Sequence, residues 1–199
     1  MDESIARKTA LAALGLLLIA FADAPWKTFR QRFVQHRWAE RMVLLSIELN
    51  LVLLWLLAKV IVGRDARIAP VGAEVAVAWE GAILAWAGAL FAAWGKWALG
   101  HAFSASFAIK ENHPLVTSGP YRIVRHPIYT GLMVLGVGLG FAFDSWLTVG
   151  FAILFVLPLA LQAAVEEQML GKHFGEAWRD YRARVPRFVP FWRPGPGVR

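Results

Sequence analysis

Apolar stretches long enough to cross a bilayer recur along this chain, and no other feature of the sequence restricts its fold as tightly. They cover residues 9–22, 42–62, 75–99, 128–143 and 146–164. A helix needs about 20 apolar residues to span the hydrocarbon core, and lipid offers no partner to a backbone N–H or C=O left unpaired. With 58% hydrophobic residues and a mean hydropathy of +0.49, the expected solvent is the bilayer. The expected fold is all-α: one polytopic membrane domain over 1–199, with about five transmembrane helices. Ten tryptophans suit such a protein, because indole joins an apolar body to one N–H donor at the headgroup level.

Each segment carries its own expectation. Residues 9–22, preceded by Arg7-Lys8 and followed by Ala22-Asp23-Ala24, resemble a secretion signal with a small-residue cleavage site. Cleavage before Pro25 would export the basic stretch that follows, against the positive-inside tendency, so a short first transmembrane helix is expected instead. Residues 25–41 mix five cations with Trp26, Phe29, Phe33 and Trp38, as an amphipathic segment on a headgroup layer or a solvated basic loop would. The second helix, 42–62, holds Glu48 and Asn50, polar groups expected to face protein. Gly81, Ala85 and Gly88 in the third helix, and Gly131, Gly136, Gly138 and Gly140 in the fourth, leave room for close backbone approach.

Only Asp144-Ser145 separates 128–143 from 146–164, which predicts a helical hairpin of the fourth and fifth helices. Its first arm is about 24 Å long at 1.5 Å per residue, short for the bilayer. A cytoplasmic amphipathic helix is expected over 168–187, before Pro186, Pro190 and Pro194 stop it.

A net charge of +7 raises the question of nucleic acid, yet the cations gather in loops and at the C-terminal end. Anionic headgroups of the lipid bilayer are the simpler partner, and no nucleic acid is expected. Lys plus Arg number five in the loop after the first helix, two in the next, four from Lys96 to Arg125, none in the hairpin turn and seven from Lys172 onward. That alternation predicts an outside N-terminus and a cytoplasmic C-terminus. With no cysteine there is no disulfide, thiolate nucleophile or cysteine ligand. The five histidines, His36, His101, His113, His126 and His173, form no i, i+4 pair and no HExxH, so no metal site is expected.

Residues 100–127 form a long polar interruption, and long loops are usually functional. A hairpin carries the chain out and back to one face, so Arg125, His126 and Tyr129 should meet Glu166 and Glu167. Cations, a phenol and two carboxylates can hold a ligand bearing both an amino-acid zwitterion and a ribose. The same residues also fit a plainer reading, in which Arg-His-Pro pins the chain at the interface and the glutamates open a surface helix.

Gly119-Pro120-Tyr121-Arg122, Arg125-His126-Pro127-Ile128-Tyr129, Glu166-Glu167, Phe174-Gly175, Tyr181 and Val185-Pro186-Arg187-Phe188 together resemble the integral-membrane isoprenylcysteine carboxyl methyltransferase and phospholipid methyltransferase superfamily. The resemblance covers roughly 99–190 with order and spacing intact, leaving 1–99 as anchoring helices and 100–190 as the cofactor-binding, catalytic part.

It implies use of S-adenosyl-L-methionine and an amphipathic acceptor, either a prenylated or other lipid-like small molecule. It places His113, Leu115, Tyr121, His126, Tyr129, Glu166 and Glu167 on the cofactor side, with Glu167 and Arg125 as the catalytic pair. Many members place an arginine about one turn before the acidic pair, where this chain has Gln162-Ala163-Ala164. The implied location is an integral membrane protein, in the inner membrane if the cell is bacterial, with its site facing the cytoplasm. Two further readings stand beside this one: a nicotinamide-dependent membrane reductase of related fold, and a non-enzymatic membrane scaffold.

Overall fold

A computed structural model describes residues 2–22, 67–100 and 114–191. The expectations for 25–41, for the second helix at 42–62 and for His113 fall outside these residues. Among the described residues every regular element is helical: α1 (Glu3–Phe21), α2 (Glu74–Leu99), a 3-10 turn (Gly119–Arg122), α3 (Pro127–Ala142), α4 (Trp146–Leu154), α5 (Val156–Phe174) and α6 (Glu176–Arg184). Three helical stretches are long and apolar enough to cross a membrane, α1, α2 and the combined α4–α5 over Trp146–Phe174, and α3 is a shorter apolar helix. The protein is a polytopic membrane protein.

The interior is built from small side chains rather than large ones. Ala10, Ala13 and Leu17 of α1 pack on Ala82, Ala85, Ala89 and Ala92 of α2, together with Leu135, Leu139 and Ala142 of α3. In lipid there is no hydrophobic drive between helices, so close van der Waals packing of this kind does the associating. Between α2 and α3 the approach is backbone to backbone. Gly81 and Gly88 lie seven residues apart on α2, and Gly131 and Gly138 lie seven apart on α3. A Cβ added at Gly131 would lie 2.5 Å from the Gly88 carbonyl oxygen and 2.6 Å from the Ala92 amide nitrogen. The glycines expected to serve packing do so.

Orphan carbonyls at the helix ends are met by buried or half-buried cations, because lipid supplies no donor. Arg7 Nε donates to the Ala142 carbonyl at the end of α3, at 3.3 Å. Lys96 Nζ donates to the Ala20 carbonyl near the end of α1 and lies over the Phe21 ring. A cation at a helix C-terminus also meets the negative end of the dipole.

The expected hairpin is present. Gly136 faces Ala152 and Gly140 faces Val149, so its two arms touch near the turn. The turn itself is fixed by Asp144, which adopts a φ of 54° and is buried. Its carboxylate accepts from the amides of Ile68 and Ala69 at 2.7 and 2.6 Å and from Arg67 Nε at 2.7 Å. Burial works against the Asp144 charge, but the two amides and Arg67 outweigh it and hold the carboxyl below the ordinary aspartate range. Ser145 then caps α4 by accepting from the Thr148 amide at 3.0 Å.

The second arm departs from expectation. The apolar run ends at Glu166-Glu167, but the helix continues to Phe174, so the pair lies within a helix and does not start one. Pro158 marks the junction of α4 and α5, since its ring crowds the carbonyl four residues back and it has no N–H to give. The amphipathic helix expected over 168–187 is likewise divided. Gly175, at a φ of 53°, ends α5 in a left-handed conformation that side chains resist, and α6 follows with Trp178 and Tyr181 buried.

Replacing Gly131 by Ala should therefore overpack the α2–α3 contact and cost about 1–3 kcal/mol. Thermal melting in detergent should show a lower Tm for Gly131→Ala, while Gly150→Ala, with nothing within 4 Å of its added methyl, keeps the wild-type value. Equal melting of all three proteins would contradict the contact.

Candidate active site

From Trp146 to Glu166 the α4–α5 stretch rises about 30 Å, the thickness of the hydrocarbon core. The shorter α3 arm returns to the same edge at His126. The hairpin thus delivers both halves of the expected site to one membrane boundary. On the α3 side, Gly119 turns the chain at a φ of 60° into the 3-10 turn. Val124 is fully buried, and Pro127 opens α3 at a position where its missing N–H is not needed.

Residues 185–191 run back over this segment and close it. The Arg125 amide donates to the Pro186 carbonyl at 2.8 Å and the His126 amide to the Arg187 carbonyl at 3.1 Å. Thr130 Oγ1 donates to the Phe188 carbonyl at 2.9 Å. The Tyr181 hydroxyl donates to the Tyr121 carbonyl at 2.8 Å, tying α6 to the 3-10 turn.

At the centre is Glu167, whose side chain is 4% exposed. Its Oε1 accepts from Arg187 Nε at 2.9 Å and its Oε2 from Arg187 Nη2 at 2.6 Å, a bidentate fork of the kind arginine makes with carboxylates. His126 Nε2 lies 3.1 Å from Oε1. Arg125 Nη1 lies 3.4 Å from the same oxygen without hydrogen-bond geometry, and the Nε and Nη1 of Arg125 are buried with no hydrogen-bond partner among the described residues. Its guanidinium sits 5.9 Å from the centroid of the Trp178 ring.

Glu166, one residue earlier and about 100° around the helix, keeps 41% of its side chain exposed. The Tyr129 hydroxyl donates to its Oε2 at 3.2 Å, and His126 Nδ1 is 3.5 Å from that oxygen. The imidazole of His126 stacks on Tyr129, with centroids 5.4 Å apart and planes 5° apart, and leans on Phe188 at 5.6 Å.

The cluster therefore joins Arg125, His126, Tyr129, Glu166 and Glu167, as the hairpin argument expected. Tyr121 is buried beside it: burial, and then the charge of Glu166, raise its phenol well above the ordinary value, so it stays protonated. Leu115 is half-buried on the irregular segment leading into the turn. Arg187 entered the sequence reading only within a motif and was not expected at the site. Twenty residues and a helix break separate it from Glu167, which leaves no periodicity to reveal the pairing. Its position between Pro186 and Pro190, in a chain that must stay extended, was the one available signal.

Burial opposes charge on His126, but hydrogen bonds to Glu166 and Glu167, reinforced by their charges, outweigh it and raise its pKa above the ordinary value of 6.5. On Arg125, burial lowers the pKa, with Glu167 opposing and Arg187 adding to it. Because the folded pKa of His126 is raised, its contribution to stability is full below the unfolded value near 6.5 and is lost as pH rises through the folded value. Melting in detergent from pH 6 to 9 should show wild-type stability falling with rising pH, with a shallower fall for His126→Gln. Parallel profiles would contradict the coupling.

The phospholipid methyltransferase family profile matches residues 76–177, about half of the chain. The chain is 36% identical over 83 residues to protein-S-isoprenylcysteine O-methyltransferase B of Arabidopsis thaliana, a match covering 41% of this chain and 42% of that protein. It is 33% identical over 94 residues to the protein-S-isoprenylcysteine O-methyltransferase of Schizosaccharomyces pombe, covering 46% of this chain and 40% of the relative. It is also 34% identical over 80 residues to methanethiol S-methyltransferase of Pseudomonas deceptionensis, covering 39% and 29%. The match to the first two relatives spans about two fifths of their length. The profile match covers half of the chain, including all but the first two residues of α2, the polar turn, the hairpin and Glu166-Glu167, and on that ground the chain belongs to the phospholipid methyltransferase family.

Proposed function

We propose that the protein is a membrane methyltransferase that uses S-adenosyl-L-methionine and takes its amphipathic acceptor, an isoprenylcysteine-like carboxylate or a phospholipid amine, from the bilayer. The observation that carries this reading is the cluster around Glu167, in which Arg125 keeps unpartnered donors and Glu166 an exposed carboxylate. A buried donor without a partner costs about 1–3 kcal/mol, and Arg125 keeps two such donors on one guanidinium. Beside it stands Glu166, half exposed. Guanidinium donors suit a ligand carboxylate and a carboxylate oxygen suits an ammonium or ribose hydroxyl, so the residues fit an amino-acid-bearing nucleoside.

When bound, the cofactor supplies an electrophilic methyl group on a sulfonium. Transfer from it partly neutralises charge, so the chain contributes alignment and exclusion of water more than acid–base chemistry. Arg125 orients the amino-acid end. Tyr129 and His126 hold Glu166 toward the ligand, and Tyr121 and Leu115 complete the cofactor side, to which the family resemblance adds His113. A carboxylate acceptor needs no base. An amine acceptor must lose a proton, and Glu166 is the carboxylate open to take it. The expectation of Glu167 as the catalytic partner shifts accordingly: both its oxygens are engaged by Arg187, and Oε1 by His126 as well, which suits it to holding the cations in place.

The cations at this end, Arg122, Arg125, Lys172, Arg179, Arg182, Arg184 and Arg187, support a cytoplasmic site by the positive-inside tendency, which in a bacterial cell means the inner membrane.

Detergent-solubilised protein should bind S-adenosylhomocysteine saturably, with affinity falling about a hundredfold in Arg125→Ala, as for truncation of one partner in a buried charge pair. Absence of saturable binding overturns the reading. Saturable binding of a reduced nicotinamide dinucleotide in its place favours the reductase, and binding of neither favours the scaffold.

A further inference from the structure

Glu167 faces three cationic side chains, yet it treats them unequally. Arg187 takes both oxygens in a fork at 2.9 and 2.6 Å. His126 adds a contact to Oε1 at 3.1 Å. Arg125, the most deeply buried of the two arginines, is left at 3.4 Å, with Nε and Nη1 unpartnered. A carboxylate has about four lone-pair positions, and three are already used by donors that reach hydrogen-bond distance. In an isolated Arg125–Glu167 pair the shortest arrangement would be a fork between those two, which would use up the Arg125 donors. Arg187 occupies that place.

We infer that Arg187 is a positioning residue of the cofactor site: by holding both oxygens of Glu167 it keeps Arg125 from closing its own ion pair, and so reserves the Arg125 donors for the carboxylate of an amino-acid-bearing ligand. This rests on the cofactor reading above.

Backbone geometry supports the role. Arg187 is carried on the segment whose carbonyls accept from the amides of Arg125 and His126, so its position is set against the same residues whose side chains it arranges. Pro186 fixes φ immediately before it, and Phe188 packs on the His126 ring. Arg125 is limited in turn by Trp178. The two guanidiniums share the carboxylate of Glu167, and among the described residues Glu166 meets His126 and Tyr129 instead, so positive charge around Arg125 is incompletely matched until an anion arrives.

A segment that merely straps the fold together would affect all ligands alike, so the test compares two. S-Adenosylhomocysteine carries the amino-acid group, and 5′-methylthioadenosine is the same nucleoside thioether without it. Binding of both to the full-length detergent-solubilised protein is measured for wild type, Arg187→Gln and Arg187→Lys; Gln keeps much of the side-chain length should Arg187→Ala fail to fold.

The expected result is a loss of about tenfold or more in affinity for S-adenosylhomocysteine in Arg187→Gln, unchanged affinity for 5′-methylthioadenosine, and partial recovery in Arg187→Lys, which keeps the charge but loses the fork. Equal losses for the two ligands, or no loss for either, overturn the positioning role while leaving the cofactor reading in place. Wild-type protein that binds neither ligand overturns the cofactor reading, and the role of Arg187 falls with it.

Discussion

Backbone contact between α2 and α3 is the constraint on which the rest depends. Glycines spaced by seven on each helix bring the two main chains together, and no larger residue could stand at those positions without moving a helix. In water such a surface would be weak, because it buries little apolar area per residue. In lipid it is effective, because association there comes from packing density and from satisfied polar groups. Once α3 is seated on α2, its first residue fixes where His126 and Arg125 emerge, and the hairpin turn fixes where α4 begins.

The polar contacts then follow from depth. Asp144 and Arg67 lie at one end of the hairpin, Arg7 and Lys96 reach helix C-termini, and the Glu167 cluster lies where α3 begins and the apolar run of α5 ends. Each meets a group that lipid would leave unpaired. The Glu167 cluster differs from the others in one respect. The Ala142 and Ala20 carbonyls and the Asp144 carboxylate have their donors, whereas here Arg125 retains two donors without partners among the described residues. A fold that pairs orphan carbonyls with cations has the means to satisfy these, and the cofactor reading proposed above rests on that exception.

Much of this was legible in the sequence. Apolar run lengths placed α2 and the first hairpin arm within a residue or two, along with the start of the second arm, and Asp144-Ser145 disclosed the turn. A hairpin's geometry was enough to join 125–129 to 166–167. What escaped did so for physical reasons. Glu166-Glu167 ended the apolar pattern, and pattern was taken as helix, but a helix emerging from lipid continues in water on its own hydrogen bonds. Gly175 broke the amphipathic helix through one backbone angle, which hydropathy does not record. Arg187 reached Glu167 through an irregular segment, where neither a 3.6-residue nor a 2-residue period applies.

The unequal hairpin arms have a consequence for how this protein meets its ligands. An arm of 16 residues on one side and a longer arm on the other place the Glu167 cluster at the seam between two solvents. A water-soluble ligand reaches such a seam at its bulk concentration. An amphipathic molecule reaches it at a surface mole fraction, set by how much other lipid or detergent shares the plane. Occupancy of the two sides would then respond to different variables. Under the methyltransferase reading proposed above, adding inert lipid at constant volume would dilute the acceptor and leave the cofactor untouched, so turnover would follow the composition of the membrane as directly as that of the water beside it.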